Sequence, residues 1–183
     1  MHQLYRTNVL FAIEHSELFY GTICRRLVLY VNCGKIKEKD RRIGSGIMVK
    51  QIVRDVFFLA QKSEPATKAD VQVGRDLMDT LRANRERCVG MAANMIGVRK
   101  NIIIVNMGML DVVMFNPVIV KKDTVYETEE GCLSLDGVRP TERYQNIEVE
   151  YYDFSWKKQR MKLSGWTAQI CQHEIDHLAG RII

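Results

Sequence analysis

The sequence predicts an α+β fold in which a mainly antiparallel β-sheet packs around a C-terminal helix, with one N-terminal helix before the strands. Three observations support this class. Segments rich in β-branched or alternating residues are concentrated between residues 102 and 163. An amphipathic segment at about residues 67–87 precedes them, and a second helical segment ends the chain. Strands that are grouped between helices, instead of alternating with them, are typical of α+β folds.

Length and composition indicate one soluble domain. The chain has 183 residues, of which 46% are hydrophobic and 27% are charged. No apolar run is long enough to cross a membrane, so no membrane partner is predicted. Five cysteines form no C-x-x-C pair and are odd in number, which argues against a secreted disulfide scaffold and predicts a cytoplasmic protein.

Residues 1–47 differ from the rest of the chain. They hold eight Lys/Arg against four Asp/Glu, whereas residues 48–183 are nearly balanced at nineteen against eighteen. The basic character therefore belongs to the N-terminal quarter, and no direct nucleic-acid partner is predicted. We hypothesise that Met48 is the natural start, that residues 48–183 form a single catalytic domain, and that residues 1–47 are a mistranslated upstream extension or are disordered. A genuine docking arm is the alternative.

The first elements are a helix and a run of small residues. Residues 49–59 predict a short strand or turn, and residues 67–70 resemble a capping box. The helix that follows runs to about Arg87, with one apolar face formed by Val73, Leu77, Met78 and Leu81. Residues 88–97 are mostly small, which allows close backbone approach to a ligand or, equally, a tight buried turn.

Four strands are then predicted. Residues 102–105 are a β-branched run typical of a buried strand. Residues 114–120 form a second strand, where Pro117 indicates a sheet edge or a bulge. Residues 147–152 alternate with period two, and residues 161–163 are expected to pair with them.

The final helix, which Ser164 or Thr167 can cap, carries the main chemical motif. His173 and His177 are four residues apart, so both side chains lie on one helix face and can bind one divalent metal at about 2.0–2.1 Å. Glu174 lies close to such a metal without ligating it, where a general base is needed. Because the motif is short, a chance match on an amphipathic helix is the alternative.

A catalytic metal site usually has a third protein ligand, and no candidate follows His177. The third ligand is therefore expected upstream, where a cysteine thiolate is the best donor. Cys132 is the first candidate and Cys88 the second. Cys171 lies about 200° around the helix from His173 and faces away. A buried structural role is the competing interpretation of Cys132.

Taken together, these stretches resemble the peptide deformylase family. Residues 130–134 read E-G-C-L-S and residues 172–180 read Q-H-E-I-D-H-L-A-G, which match two motifs of that family in order. The family's glycine-rich first motif is altered, since Cys88 stands in place of a glycine and Met95 in place of a glutamine. The chain is similar to a divergent Gram-positive branch that carries this methionine, and the resemblance covers about residues 48–183.

The resemblance implies a metallohydrolase that removes the N-formyl group from the initiator methionine of nascent bacterial proteins. Cys132, His173 and His177 would hold the metal, with Fe²⁺ as the physiological ion and Zn²⁺, Ni²⁺ or Co²⁺ as alternatives. A metal-activated water would attack the formyl carbon, with Glu174 as general base and the Leu133 N–H supporting the oxyanion.

Further roles follow from the same resemblance. Asp176 is expected to pair with Arg143 and brace the helix. Arg139 is expected to contact the substrate backbone. The remaining expected substrate contacts are Val89, Gly90, Gly131 and Ile170, and Gly90 is also placed at the reaction centre.

The change at Met95 leaves a second function open. A thioether cannot donate the hydrogen bond that the family's glutamine supplies. The alternative is therefore a deformylase-fold, metal-binding protein with weak or no activity that binds N-terminal peptides. An H-E-x-x-H protease is a third and weaker hypothesis, since a downstream ligand is missing. Transient ribosome contact is left open, but without the long basic C-terminal helix that some deformylases use.

Overall fold

The computed structural model describes residues 41–43 and 46–183, so most of the segment in the hypothesis about residues 1–47 lies outside these ranges. The strands are β1 (Arg41–Ile43), β2 (Ile47–Val49), β3 (Gly90–Ala92), β4 (Ile102–Asn106), β5 (Asp111–Gly131), β6 (Val138–Tyr152) and β7 (Lys158–Ser164). The helices are α1 (Val56–Leu59), α2 (Val71–Ala83) and α3 (Gly165–Leu178), with 3₁₀ turns at Lys68–Asp70 and Ala93–Ile96.

The main sheet has the order β3-β4-β5-β6-β7, and every neighbouring pair is antiparallel. Strands β1 and β2 form a separate two-stranded hairpin. Helix α3 packs against β3, β4 and β6, and helix α2 packs against β4 and β5. The predicted α+β class with an antiparallel sheet and a C-terminal helix is confirmed. None of the helices in the described part of the chain has the length and apolarity that a membrane crossing requires.

Strands β5 and β6 are much longer than the sequence predicts. Their register continues from Phe115↔Tyr152 to Gly131↔Val138, so they form one long hairpin. The prediction missed its outer half because those residues are mostly exposed and polar, and backbone pairing alone continues the strands there. Pro117 lies at a register irregularity, as a bulge requires. Strand β4 pairs with β5 only as far as Phe115, so at Pro117 the described strands also leave β5 as an edge on its β4 side.

The N-terminal elements also differ from the prediction. Helix α2 ends at Ala83, not near Arg87. The Asn84 side chain donates to the Thr80 carbonyl at 2.8 Å, and the Asn84 backbone N–H donates to the Leu81 carbonyl in a tighter turn, so both groups close the helix at this residue. Residues 49–59 hold the end of β2 and the four-residue helix α1, so α2 is not the single N-terminal helix. Before α2, the Asp70 carboxylate accepts from the Thr67 N–H at 2.7 Å, where the capping box was predicted.

The small-residue run becomes a strand and a turn. Residues Gly90–Ala92 form the edge strand β3, and Ala93–Ile96 form a buried 3₁₀ turn that ends at Gly97 with φ +83°. The Asn94 side chain in this turn donates to the His177 carbonyl at 2.8 Å. This bond attaches the small-residue run to the C-terminal end of α3.

Candidate active site

Three potential metal ligands from two distant parts of the chain meet in the structure. Cys132 follows the end of β5, while His173 and His177 lie one turn apart on α3. The Cys132 Sγ lies 3.1 Å from His177 Nε2, and the two Nε2 atoms lie 3.1 Å apart. All three ligand atoms lie within 4.8 Å of one another. Such spacing is close to that of neighbouring ligands on one ion bound at about 2.0–2.3 Å.

The remaining cysteine candidates do not join this cluster. Cys88 lines the neighbouring pocket, but its Sγ donates to the Gly90 carbonyl at 2.7 Å. Burial, and then the negative charge of Glu174, raise the pKa of the Cys88 thiol, which disfavours the thiolate that a metal needs. Cys171 is buried away from the cluster, and burial raises its pKa to about 12.

A buried carboxylate orients the first histidine. Glu130, at the end of β5, contacts His173 Nδ1 at 2.8 Å and accepts two hydrogen bonds from Arg143, at 2.9 and 2.7 Å. Burial by itself raises the pKa of Glu130, but the bonds from His173 and Arg143 prevail and lower it to about 2. Glu130 therefore stays ionised and leaves His173 Nε2 facing the ligand cluster.

The same arginine reaches the far side of α3. Arg143 Nη1 donates to Asp176 Oδ2 at 2.6 Å, and Arg181 donates to the other oxygen of Asp176 at 2.9 Å. The pair of Asp176 and Arg143 expected from the sequence is thus present in the structure. Arg143 connects β6 to α3 and to Glu130, so it holds the histidine helix against the strand that ends beside Cys132.

The two histidines have different electrostatic surroundings. Burial, with the positive charge of His173 second, lowers the pKa of His177 to about 3, so this ring is neutral and offers a lone pair. For His173, burial alone would lower the pKa, but hydrogen bonds with Cys132 and Glu130 raise it to about 10. A positive charge is therefore favoured between Cys132 and Glu130, which suits a cation-binding centre.

Glu174 projects into the site beside the ligands. Its side chain is 3% exposed, and burial raises its pKa to about 7. The Oε2 atom has no hydrogen-bond partner in the described ranges. Gly90 lies directly against this side chain, since a Cβ on Gly90 would be 2.7 Å from Glu174 Oε1. Glu174 is thus a confined carboxyl group whose Oε2 atom is unpartnered among the described residues.

One face of α3 forms a wall of the pocket above this carboxylate. Trp166, Gln169, Ile170, His173 and Glu174 all line it, at the i, i+3, i+4, i+7 and i+8 spacing of one helix face. Trp166 is 37% exposed at the outer end, whereas Ile170 and Glu174 are buried. The pocket encloses about 200 Å³. It therefore runs from the surface down to Cys132 and His173, two of the three potential ligands.

Most residues expected at the site line this pocket. They include Cys88, Val89, Gly90, Met95, Gly131, Cys132, Leu133, Ile170, His173 and Glu174. Arg139 does not line it, and its Nη1 donates to the Asp136 carbonyl at 3.3 Å. Met95 is buried, and its sulfur accepts a hydrogen bond from the Ala92 N–H at 3.4 Å. The methionine therefore brings no donor to the pocket wall.

Sequence reasoning missed three residues of the site. The sequence shows Glu130 only as part of the E-G-C-L-S motif, whereas in the structure it binds both His173 and Arg143. Gln169 donates to Glu130 at 2.9 Å, and Trp166 stands at the pocket mouth. The signal for the last two was their spacing, since Gln169 lies four and Trp166 seven residues before His173 on the same helix face.

Comparisons with known proteins agree on one family. A family model for polypeptide deformylase matches residues 49–183. A peptide deformylase from Clostridium beijerinckii is 59% identical over 136 residues, which are 74% of this chain and 100% of that protein. A peptide deformylase from Desulforudis audaxviator is 40% identical over 128 residues, which are 67% of this chain and 82% of that protein.

Solved structures show the same similarity. A peptide deformylase from Legionella pneumophila is 30% identical, with a TM-score of 0.67 over 73% of this chain and 83% of that chain. A Met-Ala-Ser-bound class I type b peptide deformylase from Acinetobacter baumannii is 27% identical, with a TM-score of 0.65 over 73% of this chain and 95% of that chain.

Proposed function

The chain belongs to the peptide deformylase family and is a hydrolase, and from this premise we propose that it removes the N-formyl group from the initiator methionine of nascent proteins. The observation that carries the proposal is the placement of Glu174. Its carboxyl group lines the pocket beside the cluster of Cys132, His173 and His177, and its Oε2 atom has no hydrogen-bond partner among the described residues. Such a group can move a proton to and from a substrate held there.

The residues present fit a single divalent metal. One cysteine sulfur and two imidazole nitrogens are donors that suit iron and zinc alike, and three protein ligands are usual for a catalytic site. We propose Fe²⁺ as the physiological ion, on the strength of the family resemblance. When bound, the metal supplies Lewis-acid chemistry that makes water nucleophilic near neutral pH.

The protein's own groups then carry out the proton transfers. Glu174 takes a proton from the attacking water as the new C–O bond forms at the formyl carbon. The Leu133 N–H, at the pocket wall, donates to the carbonyl oxygen as negative charge develops on it. Glu174 passes the proton to the amine nitrogen as the C–N bond breaks, so the products are formate and a free methionyl N-terminus.

The pocket also supports the substrate class. Trp166 and Ile170 give it an apolar wall, and its volume of about 200 Å³ accommodates one methionine-sized side chain next to Glu174. The Acinetobacter relative was solved with Met-Ala-Ser, which has the sequence of a short N-terminal peptide. We propose that Val89, Gly90, Gly131 and Ile170 contact the substrate methionine, and that Arg139 reaches only the more distant peptide backbone.

We further propose that residues 48–183 are the catalytic unit, since the family model matches residues 49–183. The substrate is a nascent chain, so the cytoplasm is the proposed site of action, with at most transient contact to the ribosome. Neither a nucleic acid nor a membrane is needed by the proposed reaction.

The test is formate release from formyl-Met-Ala-Ser by the metal-loaded protein. We expect multiple turnovers, and a loss of about 10²–10⁴ in kcat for Glu174→Gln, because general-base catalysis contributes that range. Bound metal should stay at one equivalent in this variant. Tight peptide binding by the wild-type protein without formate release would contradict the proposal and support a peptide-binding role instead.

A further inference from the structure

Three unpartnered polar atoms belong to the second histidine and to two residues that contact the end of its helix. Five buried side-chain atoms in the described part of the chain lack a hydrogen-bond partner, and three of them are Ser63 Oγ, Asn94 Oδ1 and His177 Nδ1. The exposures of these residues are 4%, 0% and 0%. Buried polar groups without partners are uncommon in folded proteins, so each of these atoms requires an explanation.

Hydrogen bonds place Ser63 and Asn94 beside the last turn of α3, where His177 lies. The Ser63 N–H donates to the Leu178 carbonyl at 2.9 Å, and the Asn94 amide donates to the His177 carbonyl at 2.8 Å. Because the NH₂ group of Asn94 faces that carbonyl, the orientation of its amide is set, and Oδ1 is the atom left as an acceptor. Ser63 and Asn94 therefore hold adjacent residues of the helix end that carries His177.

The chemistry of a metal-ligating histidine gives these atoms a role. When Nε2 binds a metal, the ring proton resides on Nδ1, and that N–H needs an acceptor. His173 has such a partner in Glu130, at 2.8 Å. No described residue supplies one to His177 Nδ1, although the ring is fully buried.

We propose that one buried water joins His177 Nδ1, Asn94 Oδ1 and Ser63 Oγ, and that Asn94 and Ser63 are positioning residues for this metal ligand. The His177 N–H donates to the water, and the two hydrogens of the water go to Asn94 Oδ1 and Ser63 Oγ. All three unpartnered atoms are then satisfied by a molecule that makes three hydrogen bonds, the usual number for a buried water. The arrangement fixes the tautomer in which His177 Nε2 faces the metal.

The first test measures metal affinity in the full chain. Zn²⁺ affinity is measured by chelator competition for the wild type, Asn94→Leu, Ser63→Ala and the double variant. We expect each single change to weaken binding, up to about 10–100-fold for Asn94→Leu, because loss of a ligand's outer partner has that effect. The double variant should bind Zn²⁺ as tightly as the single variant with the lower affinity, because both residues act through the same water. Unchanged affinity, or effects that multiply, would overturn the proposal.

Two controls separate positioning from general stability. Ser63→Thr keeps the hydroxyl, so its Zn²⁺ affinity should equal that of the wild type. Thr80→Val removes a buried hydroxyl on α2 that accepts from the Lys50 N–H and donates to the Asp76 carbonyl. This change should lower the unfolding temperature without changing metal affinity. Weakened metal binding in Thr80→Val would show that stability, and not positioning, is being measured.

The second test needs no variant that could misfold. In the ¹⁵N-histidine-labelled, Zn²⁺-loaded wild type, we expect a slowly exchanging Nδ1–H on His177, with a cross-peak to a long-lived water. A proton on Nε2, or rapid exchange of the Nδ1–H, would refute the network. The inference rests on the proposed metal site, but the two can fail separately. A wild-type protein that binds no Zn²⁺ would refute the metal site. Zn²⁺ affinity that is unaltered in both Asn94→Leu and Ser63→Ala would refute only the bridging water.

Discussion

Replacing Gly90 by alanine should separate the position of Glu174 from the stability of the fold. A Cβ at Gly90 would lie 2.5 Å from Ile170 Cγ2 and 2.7 Å from Glu174 Oε1, whereas ordinary contacts are 3.4–4 Å. Glu174 is buried, so it cannot swing into solvent and must shift by about 1 Å within the pocket. A misplacement of this size commonly lowers a rate by about 10²-fold.

The assay is kcat for formate release, measured together with thermal unfolding and bound metal. We expect kcat to fall by about 10²-fold, while overpacking lowers the free energy of unfolding by about 1–3 kcal/mol. Gly74→Ala is a matched control, since its Cβ would lie 2.7 Å from Phe115 Cζ, in the core under α2. It should leave kcat per folded molecule unchanged. If Gly90→Ala also kept full kcat, the proposed confinement of the base by Gly90 would be wrong.

Three further predictions concern the pocket, the metal and one turn. Met95→Gln should raise kcat by up to about 10²–10³-fold, because it places an amide donor in the pocket wall where Met95 has a thioether. An unchanged kcat would show that the reaction does not need a hydrogen-bond donor at residue 95. Zn²⁺ at about 100 times its Kd should raise the free energy of unfolding by about 2.7 kcal/mol, measured by calorimetry. Cys132→Ala should abolish this effect. Hydrogen bonds from the Lys157 N–H and then Gln159 hold the pKa of Asp153 below 3.8, so the stability that Asp153 contributes is present above pH 3.8 and lost at lower pH. The difference in denaturation midpoint between wild type and Asp153→Ala should therefore shrink on acidification, and a difference independent of pH would contradict this role.

Local patterns in the sequence predicted the class of the fold and the centre of the site. The spacing of His173 and His177 predicts a shared face because helix geometry is the same in any protein. The strand at residues 102–105 was equally predictable, since its β-branched run is local information. In contrast, the outer half of the hairpin formed by β5 and β6 has no apolar pattern, so only its pairing register reveals it.

The sequence by itself therefore determined that His173 and His177 share a helix face with Glu174 beside them, and it limited the third ligand to an upstream cysteine. The tertiary structure decided how those groups are held. Glu130 became the partner of His173, and Gly90 became the contact that confines Glu174, through packing between β5, β3 and α3. Side-chain spacing along one helix is fixed by its backbone, but contacts between residues 40 or more positions apart depend on how the sheet and helix pack, which no local pattern records.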